Sequence, residues 1–522
     1  MNAQRLLAII RADFLIRLRR PSTVVVFLLL SAVPYLWIPD PSTGRALMVI
    51  AGKRALYNSA TIGMATATLG AMFIGLFGFY VISNALRRDV LSRCGYVIAS
   101  TTMRGSEYIA GKFAGNVVFL SVFTLGYMIT AMVMVIVRGE APLEPWVFAR
   151  QYLMLMPPSI AFVSAIAIVF ECTPLLRTKL GDVLYFFLWI ALMGSVTSMM
   201  EKGVGATWAP FLDVSGFGIL LQQMRTFYAT NSLSIGASTF DAAKGTMPFA
   251  GLQMTPYYVA TRITASLWPV TLLSLARLFF HRFDPARVRA VPNEKARRSW
   301  IGRLNFIAKP IARLFVWAAR PFSRTPAMID ALTTLAGFPI ALIAIVIFAI
   351  AAMASDTAHS LFTGVLPVAW AGCAITIADI ASREKRSGTS ALTFAAPHLR
   401  ERYVLWKFSS SLIVALVFLG IPLACAIRTR PHLAVALLAG VAFTAAAATA
   451  LGILSANPKT FIVGFLSFWY IASQDKGATP SLDFAGWFGT ATPYVIASYA
   501  LAALALLAVA QLFHTRELRV KW

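Results

Sequence analysis

Two stretches of the chain carry the same charged and phenolic residues at the same spacing. Arg88-Asp89, Ser92, Tyr108 and Lys112-Phe113, within residues 86–113, answer without a gap to Arg383-Glu384, Ser387, Tyr403 and Lys407-Phe408, within residues 381–408. Arg104 and Glu107 add charge to the first stretch, and Arg386 and Glu401 to the second. Arginine beside carboxylate is the chemistry of charge-paired contact with another polypeptide. The signatures of catalysis and of nucleotide binding are missing. Gly52-Lys53 and Gly111-Lys112 are followed by Arg54 and Phe113, whereas a loop that cradles phosphate needs Ser or Thr after its lysine. No H-E-x-x-H or G-x-S-x-G motif occurs, no apolar run holds paired carboxylates, and His281, His359, His398, His432 and His514 stand apart. Cys94, Cys172, Cys373 and Cys425 are scattered, which suits neither a disulfide framework nor a metal cluster. The expectation is a chain without catalytic residues, metal or cofactor of its own.

The elements that must position the doubled stretch are membrane helices. Of 522 residues, 58% are hydrophobic and 13% charged, with mean hydropathy +0.73, outside the range of soluble domains. A bilayer core calls for about 20 apolar residues in helical form, because backbone polar groups cannot go unpaired in hydrocarbon. Twelve segments qualify: 22–39, 62–85, 113–137, 151–172, 183–200 and 259–280, then 335–354, 360–380, 408–427, 433–455, 461–474 and 494–513, with the eleventh the shortest. The expected fold is an all-α polytopic membrane protein of about twelve transmembrane helices, arranged as two tandem six-helix repeats. Each charged stretch falls between the second and third span of its set.

A first unit is expected over 1–280, a basic connector over 281–327 and a second unit over 328–522. Residues 3–20 place Leu6, Leu7, Ile10, Phe14 and Ile16 towards one side among five arginines, the pattern of an interfacial helix. In the connector, Trp300, Ile301, Leu304, Ile307, Ile311, Leu314 and Phe315 form a similar stripe, interrupted by Pro310. With the N-terminus inside, 34 of the 46 lysines and arginines fall on the cytoplasmic side and 12 outside or at its boundary, as the positive-inside rule asks. Both termini are then cytoplasmic, and 201–258 is an external loop that folds back as a small cap or packs on itself. Glu171, Asp182, Asp379, Arg262 and Arg277 stand near span ends, where each can reach an interface, so the midplane acids needed for proton coupling are missing.

The succession of an amphipathic N-terminal helix, two spans, a loop reading Arg-Arg-Asp…Met-Arg-Gly-Ser-Glu-Tyr-Ile-Ala-Gly-Lys-Phe and four further spans resembles a permease of the type-2 exporter class of ABC transporters. The second loop, with Ser387-Gly388-Thr389 in a short helix and its Tyr403…Lys407 end, resembles the same pattern. The copies differ where the first has Arg93-Cys94 against Gly388-Thr389, and Gly111 against Trp406. The resemblance implies two six-span permease units fused in one chain of the inner membrane. It implies power from a separate cytoplasmic ATPase, two copies of it, which holds the ATP and Mg. It further implies that loops 86–112 and 381–407 dock that ATPase through Arg88, Asp89, Arg104, Glu107, Tyr108, Arg383, Glu384, Arg386, Glu401 and Tyr403. No nucleic-acid partner is expected. A twelve-span secondary carrier or uniporter, or a structural or assembly membrane protein, would share the composition and the repeat.

Overall fold

The computed structural model describes residues 3–19, 21–173, 176–177, 179–201, 208–230, 232–280 and 325–521, with 283, 310, 313 and 317 between them. The chain divides into two compact units, Met1–Val291 and Pro292–Trp522. The stripe expected at 300–315 lies outside the described residues, apart from Pro310 and Arg313.

In the first unit α1 (Ala3–Leu18) precedes α2 (Pro21–Trp37) and α3 (Ser59–Ile82). Asn58 caps α3 by accepting from the Thr61 amide, and α3 ends at Ser83, before Asn84 turns to a left-handed φ of 74°. Two short helices follow, α4 (Ala85–Leu91) and α5 (Cys94–Ser100), then α6 (Gly105–Arg138) and α7 (Pro145–Cys172). With 34 residues, α6 is longer than a bilayer core of about 30 Å requires at about 1.5 Å per residue. Its first turns therefore belong with the charged segment and its remainder with the apolar bundle. Helices 179–201, 256–267 and 272–279 complete this bundle.

Eight helices among the described residues are long and apolar enough to cross a membrane, or nine if one bent pair counts as a span. The protein is thus a helical, polytopic, membrane-embedded chain. Four of the twelve expected spans fall short of that measure. Helix 458–475 is formed but is not among the eight, and the apolar stretches Val26–Trp37 and Gly181–Ser195 are shorter helices. The run expected as one span over 335–354 is cut into Pro326–Gly337 and a helix starting at Pro339, at an angle of 91°. Pro339 supplies no amide and pushes Phe338 out of the helical region, to φ −128° and ψ 71°.

At the end of the first unit away from α4 and α5, the chain departs from all-α. The 40–58 and 201–255 segments build one four-stranded sheet, from β1 (Arg45–Ile50), β2 (Lys53–Ala55), β3 (Leu233–Thr239) and β4 (Thr246–Met247), in the order β3-β1-β2-β4. β1 and β2 form a hairpin turned by Ala51 and Gly52, both at positive φ, the backbone that matches strand twist in a two-residue turn. The long loop thus folds back by pairing with the shorter one. Glu140 accepts both Arg54 guanidinium hydrogen bonds, at 2.8 and 2.6 Å, and the Tyr57 amide at 2.9 Å, fastening the sheet to the α6–α7 connection. Arg262, expected to reach an interface, is instead 2% exposed and donates to the carbonyls of Asp213 and Pro210 at 2.8 and 3.0 Å. It braces helix 256–267 against the turn before helix 217–228.

Candidate functional site: a buried ion network built twice

Placement of the first charged stretch begins with a carboxylate on α7. Glu171 accepts from the amides of Ala85 and Leu86 at 3.0 and 2.6 Å, so the unpaired N–H groups opening α4 meet a negative charge. Arg88 and Asp89 then lie on the inner side of α4. Asp89 is buried, and the Tyr108 hydroxyl of α6 donates to its Oδ2 at 2.5 Å. Lys112, one turn along α6, places Nζ 2.8 Å from Asp89 and 3.0 Å from Asp13 of α1.

Asp13 completes the cluster. It is 2% exposed and faces three cations: Arg17 at 2.6 Å on its own helix, Lys112, and Arg88 through an Nη2–Oδ1 contact. Arg17 also donates to Asn116 of α6 at 2.6 Å. Burial pushes the Asp13 carboxyl up, but Arg17, Lys112 and Arg88 together outweigh it and hold the group below the usual carboxylate range. Three separate elements, the N-terminal helix, the post-α3 turn and the start of α6, are thereby pinned to one another.

The second unit repeats the arrangement position by position. Lys407, with no exposed surface, reaches Asp330 at 2.8 Å and Glu384 at 2.5 Å. Arg383 donates to Asp330 at 3.1 Å and to the Thr334 hydroxyl at 2.8 Å, and Tyr403 donates to Glu384 at 3.1 Å. Asp330 thus stands as Asp13 does, Thr334 as Arg17, Arg383 as Arg88, Glu384 as Asp89, Tyr403 as Tyr108 and Lys407 as Lys112. Asp330 lies on helix 326–337, which precedes the apolar helices of its unit as α1 does in the first. The copies differ in one buried charge: Arg17 has no cationic counterpart at Thr334.

Six of the ten residues expected to dock a partner are therefore engaged inside their own unit: Arg88, Asp89, Tyr108, Arg383, Glu384 and Tyr403. The other four lie outside the networks. Glu107 accepts the Arg104 amide at 3.2 Å and caps α6, while Arg386 and Glu401 are exposed on the second segment. Asp13 and Asp330 escape a gapless comparison, because they lie 75 residues before Arg88 and 53 before Arg383. One signal did point to the first. Asp13 is the single acid among the arginines of residues 3–20, in a pattern expected of a lipid-surface helix, which calls for cations.

Each carboxylate in the networks is matched by a cation within hydrogen-bond range, so the arrangement has no unpaired base for proton abstraction. A buried pair that loses one partner strands the other in a low-dielectric setting, so the network resists separation of the elements it joins. Among the described residues no cluster of His, Cys, Asp or Glu is arranged to hold a metal ion. Comparison with family models, with curated proteins and with solved structures finds no match.

Proposed function

We propose that the chain is the permease of an ATP-driven exporter of the ABC type, with two six-span units fused in tandem. A separate cytoplasmic ATPase, present in two copies and carrying ATP and Mg, engages segments 86–112 and 381–407. The observation that carries this reading is the doubled network. Positive charge alone would orient a loop across a membrane, but buried carboxylates and phenols at matching positions do not serve orientation. They make each segment of short helices one body with the following span and with the helix that enters the unit, as a lever under load requires.

On this reading the paired residues are the frame, and contact with the ATPase falls to what the segments leave exposed. In the first that is Arg87, Arg93, Tyr96, Val97 and Arg104; in the second it is Arg386, Leu392 and Glu401. Leu392 is 79% exposed and Val97 68%. All twelve apolar segments then span the inner membrane, short or bent ones included, with both termini cytoplasmic in keeping with the distribution of lysine and arginine. A secondary carrier draws less support, because the buried acids of the networks are matched by cations.

The test is enzymatic. Chain purified alone should hydrolyse no ATP, and the complex recovered with its cytoplasmic partner should hydrolyse it at a rate abolished by mutating the partner's phosphate-loop lysine. Hydrolysis by the chain alone, or a complex without ATPase activity, contradicts the proposal.

A further inference from the structure

Each network tyrosine carries a ring on its face, delivered by the end of its unit's last apolar helix. On Tyr108 it is Phe280, with centroids 5.4 Å apart and planes 10° apart; on Tyr403 it is His514, at 5.0 Å and 29°. A second ring meets each tyrosine edge-on, Phe283 at 5.3 Å in the first unit and Phe394 at 5.1 Å in the second. The stacked ring comes from the end of the last helix in both units and is titratable only in the second; the edge-on ring follows the last helix in the first unit and belongs to the charged segment in the second.

His514 is 1% exposed, and its Nε2 lies 2.9 Å from the carbonyl oxygen of Arg400. A carbonyl only accepts, so Nε2 carries the proton and Nδ1 is the lone pair. Nδ1 is buried and meets no hydrogen-bond partner. Helix 434–455, packed on the C-terminal helix, lines the cleft beside the ring with Ile453 and Leu454 and brings no charged group; the other neighbouring elements do. Lys385 and Glu384 come from the segment, Lys407 lies beyond Tyr403 on the following helix, and Glu517 stands one turn along His514's own helix; Arg400 presents its carbonyl. Glu384 is held by Lys407 and Tyr403, and Glu517 by Lys385. Among the described residues none places a hydrogen-bond acceptor on Nδ1. A cleft lined by Lys385, Ser390, Phe394, Phe513, His514 and Glu517 runs beside the ring and gives water a way in.

We propose that His514 is a proton-operated catch on the second charged segment: neutral, it holds residues 385–402 against the C-terminal helix, and protonated, it lets them go. Protonation would place an N–H without acceptor and a cation beside Lys385 in a buried site, which the clamp relieves only by opening. Phe280 makes the first unit the internal control. The inference concerns the joint itself and holds or fails whether or not an ATPase docks there.

Hydrogen exchange on the full chain in lipid nanodiscs tests it, with rates corrected for the intrinsic effect of pH. Between about pH 7.5 and pH 5.5, protection of 385–402 should fall about fivefold or more, while 93–104 stays level. His514→Gln, which retains a donor for the Arg400 carbonyl, and His514→Phe, which copies the first unit, should each remove the pH dependence. The same fall in either variant, or a parallel fall in 93–104, overturns the proposal. Histidine-selective NMR on the unmodified chain gives an independent reading: the His514 signal should titrate in step with the loss of protection, and a ring that stays neutral while protection is lost also overturns it.

Discussion

At the residue scale two aspartates, Asp13 and Asp330, which a comparison of the charged stretches does not reach, complete the networks. Asp13→Asn would leave Arg17 and Lys112 buried, and Arg88 half-buried, around a neutral amide, and Asp330→Asn would do so to buried Lys407 and half-buried Arg383. Each should lower stability by about 3–5 kcal/mol, the cost of stranding one side of a buried pair. Unfolding in detergent measures it, and adding Lys112→Met to Asp13→Asn should recover part of the loss. An additive double variant would show that the two residues do not interact. The pH dependence has a definite sign. The folded Asp13 carboxyl lies below its unfolded value of about 3.9, so its stabilisation is complete above that value and disappears as pH falls through the folded one. Detachment of α1, followed by proteolysis near Arg19, should therefore begin only well below pH 3.9 on this account, and in Asp13→Asn it should already be present near neutrality. Arg88, Asp89, Tyr108 and Lys112 were legible in the sequence as a set, because repetition at fixed spacing marks them. That they face inward was not, because burial depends on α1 lying alongside, and the sequence spacing to α1 differs between the units.

At the scale of elements, apolar runs were legible and their interruptions less so. Hydropathy counts apolar residues across Phe338-Pro339 without registering that the proline cannot continue the helix, so a 91° corner read as a straight span. The pairing of the 40–58 and 201–255 segments was hidden for a different reason: short strands far apart in sequence carry little periodicity of their own. Two predictions belong here. Gly95 on α5 has no room for a side chain, since an added Cβ would stand 2.8 Å from the Phe283 ring. Gly95→Val should dislodge α5 and expose 93–104 to protease without affecting 385–402. Glu140→Gln would weaken the Arg54 fork and loosen the sheet from the α6–α7 connection, at about 1–3 kcal/mol. Loss of protection confined to residues 45–55 and 233–247 is the expected exchange signature, and unchanged protection there would show that the fork carries no load.

At the scale of the whole molecule, two units share a network, an aromatic clamp and an N-terminal helix that enters it, while differing in nearly everything around them. One has a sheet-bearing cap over 201–255, and the other has the short 475–492 connection folded around Asp483, whose carboxylate accepts from the amides of Phe488, Thr490 and Ala491. What the units have in common centres, in each, on the charged segment, which under the proposed function is where the ATPase acts. The most direct measurement of that claim is the number of ATPase subunits bound per chain, read by native mass spectrometry on the purified complex. Two are expected on the unmodified chain, one with Val97→Asp, one with Leu392→Asp and none with both. Two subunits on all four chains, each inserted at the normal level, would contradict it.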